Sequence, residues 1–75
     1  MDIDEKFEVI YMFLDPADGH IEADYLGYMD VEQLLSAYPE ISERQIESAK
    51  RNGEETIILN VVSGDMVKLT YVGKD

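Results

Sequence analysis

Phe7-Glu8-Val9-Ile10-Tyr11-Met12-Phe13-Leu14 decides the fold. Its β-branched and aromatic residues favour a strand. The same stretch, extended back to Asp4, also draws a helical stripe through Phe7, Ile10, Tyr11 and Leu14, with Pro16 just past its end. Short apolar runs are ambiguous in this way. The strand reading leads to an antiparallel α+β domain. The helix reading leads to a winged helix-turn-helix-like order. The strand is preferred because the next residues supply a turn and a second strand to pair with it.

Asp15-Pro16-Ala17-Asp18-Gly19 has turn chemistry: proline presets φ and glycine accepts φ > 0. His20 to Gly27 then alternates, as a strand returning from that turn should. Pairing Leu14 with His20 places Phe7, Val9, Tyr11 and Phe13 beside Gly27, Tyr25, Ala23 and Ile21 on an apolar face expected to be core. Ile10, Met12 and Leu14 then share the outer face with Glu8, Glu22 and Asp24. A one-residue slip would mix the two sets.

Downstream, Asp30 with Gln33 and Ser42 with Gln45 are spaced as capping boxes. Met29 and Ile41 stand where each could staple onto Leu34 and Ile46. The first helix should bury Val31, Leu34, Leu35 and Tyr38 and end before Pro39. The second should stop at Asn52-Gly53, a good left-handed cap, with a thin apolar face of Ile46 and Ala49. A hairpin closes the chain, with Ile57, Leu59 and Val61 inward against Val67, Leu69 and Tyr71 and a two-residue turn at Gly64-Asp65. The expected fold is ββααββ, an antiparallel sheet with two short helices on one face.

The 75 residues make a single small acidic domain over 1–75, of the size at which stability is marginal. With no cysteine there is neither a disulfide nor a thiolate metal site, which suits a reducing cytosol. No metal or other cofactor is expected. A second copy of the chain is the remaining common staple, so a homodimer is expected. No apolar run is long enough to span a bilayer.

Charge is uneven. Asp2 to Glu43 holds twelve carboxylates and one cation, Lys6, whereas Arg44 to Asp75 holds five of each sign. The formal charge of -11 thus belongs to the first 43 residues. Such a field repels nucleic acid and anionic membrane and attracts basic protein surfaces.

Enzyme signals are nearly absent, and no catalytic residue is assigned. His20 lies among acids that could orient it as a base, but an exposed strand histidine is the plainer reading. Asp18-Gly19 echoes a calcium loop, yet Leu14, Pro16 and Tyr25 would fall on ligand positions. Arg44, Lys50 and Arg51 suit a recognition helix, but Glu43 and Glu47 interleave with them, and so acidic a module would forfeit the phosphate term that dominates DNA affinity.

The carboxylate field remains. Glu22 and Asp24, two apart on a strand, recur every ~6.8 Å. That is similar to the spacing of successive phosphates along a DNA strand, whose axial rise is ~3.4 Å per nucleotide. The expected binding set is Asp2, Asp4, Glu5, Glu8, Asp15, Asp18, Glu22, Asp24, Asp30 and Glu32, with apolar contacts from Ile10, Met12 and Leu14.

The stretch from Glu8 to Tyr25, followed by a capped helix at Asp30, resembles small acidic proteins of lytic bacteriophages, some of which mimic DNA and disable host DNA-binding proteins. The resemblance covers about half of the chain and rests on size, charge and layout. It implies a non-enzymatic inhibitor in the cytoplasm of a bacterial host that occupies the DNA-binding surface of a basic protein, such as a histone-like nucleoid-associated protein. Two rivals stand beside it: a winged-helix transcription regulator acting through Ser42 to Gly53, and an acidic adaptor that binds a basic protein without competing with DNA.

Overall fold

A computed structural model describes residues 5–74, excepting the side chain of Lys74. The order is β1 (Glu5–Leu14), β2 (Ile21–Asp30), α1 (Val31–Ala37), α2 (Glu43–Asn52), β3 (Glu54–Asn60) and β4 (Asp65–Lys74). The strands form one antiparallel sheet in the order β2-β1-β4-β3, so β2 and β3 are its edges. The stretch that decided the fold is strand, and the winged-helix alternative falls with it.

Both helices begin as their sequences dictate. The Asp30 carboxylate accepts from the Gln33 N–H at 2.8 Å, and the Gln33 side chain accepts from the Asp30 N–H at 2.9 Å. Ser42 and Gln45 repeat the exchange. Gly53 ends α2 at φ 90°, in the left-handed region that glycine tolerates. The helices lie on one face of the sheet. There Phe7 and Val9 of β1, Ile57 of β3, and Val67 and Leu69 of β4 pack with Leu34, Ile41, Ile46 and Ala49. No polar or charged residue is buried among the described residues.

Two sequence expectations fail at glycines. The β1–β2 register is Leu14↔Ile21, Met12↔Ala23 and Ile10↔Tyr25, one residue from the expected pairing. It then shifts, because Leu26 is extra on β2, and resumes as Val9↔Gly27 and Phe7↔Met29. Gly27 beside the bulge has φ +87°. A bulge changes which residues share a face, and an interior strand glycine is its usual mark. No single alternation could describe β2. Ile21, Ala23 and Tyr25, expected in the core, are on the outer face with Leu14, Met12 and Ile10.

The second failure is at β3–β4. Asp65 opens β4 opposite Asn60, and the connection is Val61 to Gly64. The Asn60 side chain accepts from the Val62 N–H at 2.9 Å and the Ser63 N–H at 3.2 Å. This local side-chain turn outcompetes the two-residue hairpin. Val61, expected inward, is 84% exposed.

The bulge is testable through its glycine. A Cβ at Gly27 meets nothing within 4 Å, so the cost of a side chain there is one of backbone conformation alone. Gly27→Ala should lower stability by about 1–2 kcal/mol. Chemical denaturation checks it; an unchanged midpoint would contradict the bulge geometry.

Candidate functional site: an acidic sheet end with aromatic rings

Cross-strand partners share a sheet face, so the register sorts the predicted residues. Phe13↔Glu22 and Tyr11↔Asp24 lie on the helix-bearing face, at the end beyond the helices. Ile10, Met12 and Leu14 lie on the opposite face. The expected union of Glu22 and Asp24 with that apolar trio is therefore corrected: the slipped register separates them.

The carboxylates beside Glu22 and Asp24 surround aromatic rings instead. Tyr11 stacks on Phe13 with centroids 5.6 Å apart, and on Tyr38 of the α1–α2 connection at 6.5 Å. Asp65, at the start of β4, adjoins Tyr11. Its carboxylate is the first cause that raises the Tyr11 phenol above its ordinary value, followed by burial and the fields of Tyr38 and Asp24. Burial and then Glu40 raise Tyr38. Both phenols stay protonated at neutral pH. The rings are half-buried, while Glu22, Asp24 and Glu40 are exposed. Sequence reading missed Tyr11, Phe13, Tyr38 and Asp65 as members of this site. The first two were expected in the core, and Asp65 was counted in the neutral half of the chain.

The other predicted carboxylates have different tasks. Glu5 is 2.8 Å from the Lys50 Nζ, which also lies 3.4 Å from Glu47, and the Glu5 side chain is only 12% exposed. The Glu5 partner holds the Lys50 ammonium above its ordinary pKa. This engaged side chain is withdrawn from the binding set. Glu8 is on the outer face and accepts from the Tyr25 hydroxyl at 3.2 Å. Partial desolvation and then Glu8 push the Tyr25 phenol up to about 12, so it keeps its donated proton at neutral pH.

Asp15 and Asp18 shape the β1–β2 turn, accepting from the N–H groups of Ala17 at 2.9 Å and His20 at 3.1 Å. Asp18 also lies 3.8 Å from His20 Nδ1, both exposed. These bonds fix the two carboxylates at the turn. Asp30 caps α1, and Glu32 is exposed in its first turn. Asp2 and Asp4 lie outside the described residues.

Ion pairs with Lys or Arg among the described residues use Glu5, Glu47 and Glu54. None uses a carboxylate between Asp15 and Glu43. Those acids follow the β1–β2 turn, the β2 edge and the flanks of α1. Lys68 of β4 is in the half of the sheet against which α2 packs, whereas Arg44 and Lys50 of α2 line a cavity with Glu5 of β1 and with Val31, Glu32 and Leu35 of α1. The body measures 42 × 22 × 19 Å.

Among the described residues no group of three His, Asp or Glu side chains is placed to hold a metal ion. No helix there is long and apolar enough to cross a membrane. Comparison with protein-family models, with curated proteins and with solved structures finds no match.

Proposed function

We propose that the chain is a non-enzymatic inhibitor that occupies the DNA-binding surface of a basic bacterial protein. The observation that carries this reading is the run of carboxylates from Asp15 to Glu43 that make no Lys or Arg pair among the described residues. They decorate a rigid edge strand, its turn and a helix start. Desolvating a carboxylate is costly unless a cation meets it. Acids left unpaired on a fixed frame are therefore ready to receive lysine and arginine from outside.

The aromatic rings sharpen the chemistry. A guanidinium can lie over the face of a tyrosine or phenylalanine while its N–H groups reach a carboxylate. Glu22, Asp24, Asp65 and Glu40 around Tyr11, Phe13 and Tyr38 offer both features together. DNA-binding surfaces present arginine and lysine at intervals set by phosphates, which suits a row of acids on a strand. A histone-like nucleoid-associated protein is the preferred target class. Such proteins read DNA through its backbone and deformability rather than its bases, and a charged shape can imitate that. The adaptor reading shares the same surface and differs only in whether duplex DNA competes.

The test is capture from a bacterial lysate on the immobilised chain at low salt, with elution at high salt, followed by competition with duplex DNA for the captured protein. A basic DNA-binding protein released by either salt or duplex is expected. Capture that duplex does not disturb would replace inhibition with the adaptor reading.

A further inference from the structure

The helices cover only one side of the sheet. The other side is a continuous surface whose rows are set by the register. One row is Ala23–Met12–Met66–Ile58, and the next is Tyr25–Ile10–Lys68–Thr56. Leu14 and Ile21 extend the apolar end. Ile21, Tyr25 and Ile58 are 64%, 60% and 59% exposed. The opposite end is more polar, with Tyr28, Glu8, Thr70 and Glu54 in one row, Lys6 beyond it, and Asp30 at the rim, although Tyr28 is 59% exposed there.

We propose that this face packs on the same face of a second copy, about a two-fold axis running along the strands between β1 and β4. Three observations select that occupant. The first is charge. The molecule carries -11, yet this face holds Glu8, Glu54 and Asp30 against Lys6 and Lys68 and is nearly neutral. The corrected register is what removes Glu22 and Asp24 from it. Two copies can meet here with their acidic flanks turned aside. Pairing through the β2 edges would instead bring Glu22 and Asp24 of one copy beside those of the other.

The second observation is complementarity under that axis. β1 then faces the partner copy's β4, and each row faces its own equivalent. Met12 meets the second Met66, and Ala23 meets the second Ile58. Lys68 lies over the second Ile10, covering it with its methylene stem while its ammonium stays by Glu54 of its own copy, 3.5 Å away, on the side toward the second Glu8. Turning the axis across the strands would lay the apolar end on the end that holds Glu8, Glu54 and Lys6. Two aligned sheets packed in this way form an ordinary β-sandwich.

The third is size. Four strands ~4.8 Å apart and ~30 Å long give a flat area of roughly 550–600 Å², before side-chain relief is added. Burying it on both copies reaches the lower part of the range for specific interfaces, about 1,200–2,000 Å² in total.

The inference is independent of the partner proposed above, because its test contains only this chain. Sedimentation equilibrium at ~10–200 µM should give twice the 8.6 kDa chain mass. Ile58→Lys, on an exposed edge-strand position, should weaken association about tenfold or more while the far-ultraviolet circular dichroism is unchanged. A monomer throughout that range, or a dimer indifferent to Ile58→Lys, would overturn the proposal. Should Ile58→Lys fail to fold, isotope-filtered NMR of a mixed-label sample of the unaltered chain decides. Contacts between the Met12 methyl of one copy and the Met66 methyl of the other are expected, and a dimer without them overturns the proposed face.

Discussion

Reversing Glu22 and Asp24 together to lysine will weaken binding to a basic DNA-binding target by about 10²-fold, or 2–3 kcal/mol, at low salt. Both residues are exposed on β2, cross-strand from Phe13 and Tyr11, so the substitutions leave the core untouched. They turn two attractions into two repulsions beside the rings. The loss should shrink as salt rises, since the Debye length falls from about 10 Å at 0.1 M to about 3 Å at 1 M. Titration of the labelled target at several salt concentrations measures both effects. The same reversal on Glu5 is not an equivalent probe, because Glu5 already serves Lys50 and its loss would disturb the fold. An unchanged affinity for the Glu22→Lys, Asp24→Lys double variant would remove the end of the helix-bearing face from the binding surface.

The second large effect is on stability. Leu34→Ala should cost about 3 kcal/mol, within the usual range of 2–5 for a buried leucine. Leu34 has no exposed surface and lies at the centre of the cluster that joins α1 to the sheet. A domain of this length has roughly 4–11 kcal/mol of stability in all, so one such cavity consumes a large share. Val62→Ala, at a position 97% exposed, should change stability by no more than about 0.5 kcal/mol. Urea unfolding of the two variants side by side checks the contrast. Equal midpoints would mean that α1 is not held by the core described.

Much of the fold was legible in the sequence because local signals agreed. The two capping boxes, the turn at Asp15 to Gly19 and the glycine cap at Gly53 each have a mechanism confined to a few residues, and each is present in the structure. The apolar alternation of Phe7 and Val9 likewise located the core. Register escaped, because it depends on pairing across the sheet. The extra Leu26 resets β2 halfway along its length, so Tyr25 and Gly27, both odd-numbered, face opposite sides. Gly27, read from the sequence as the end of that strand, lies inside β2, which runs on to Asp30.

The candidate site suffered most from that slip. The acidic strand, turn and helix start were identified, but Glu22 and Asp24 were assigned to the wrong face and their aromatic neighbours to the core. Asp65 is remote in sequence and joins them only because β4 lies next to β1. Glu5 looked like any other acid of the N-terminal run, since its pairing with Lys50 arises only when α2 packs on the sheet.

Whether a target's DNA site is what the acidic edge fills can be measured by fluorescence anisotropy of a labelled duplex bound to a purified histone-like nucleoid protein or to the protein captured from lysate. Added chain should release the duplex in a saturable manner at about 50 mM salt. The Glu22→Lys, Asp24→Lys variant should need far more protein, and high salt should abolish the difference between them. Duplex that stays bound while the chain binds the same protein would contradict occupation of the DNA site.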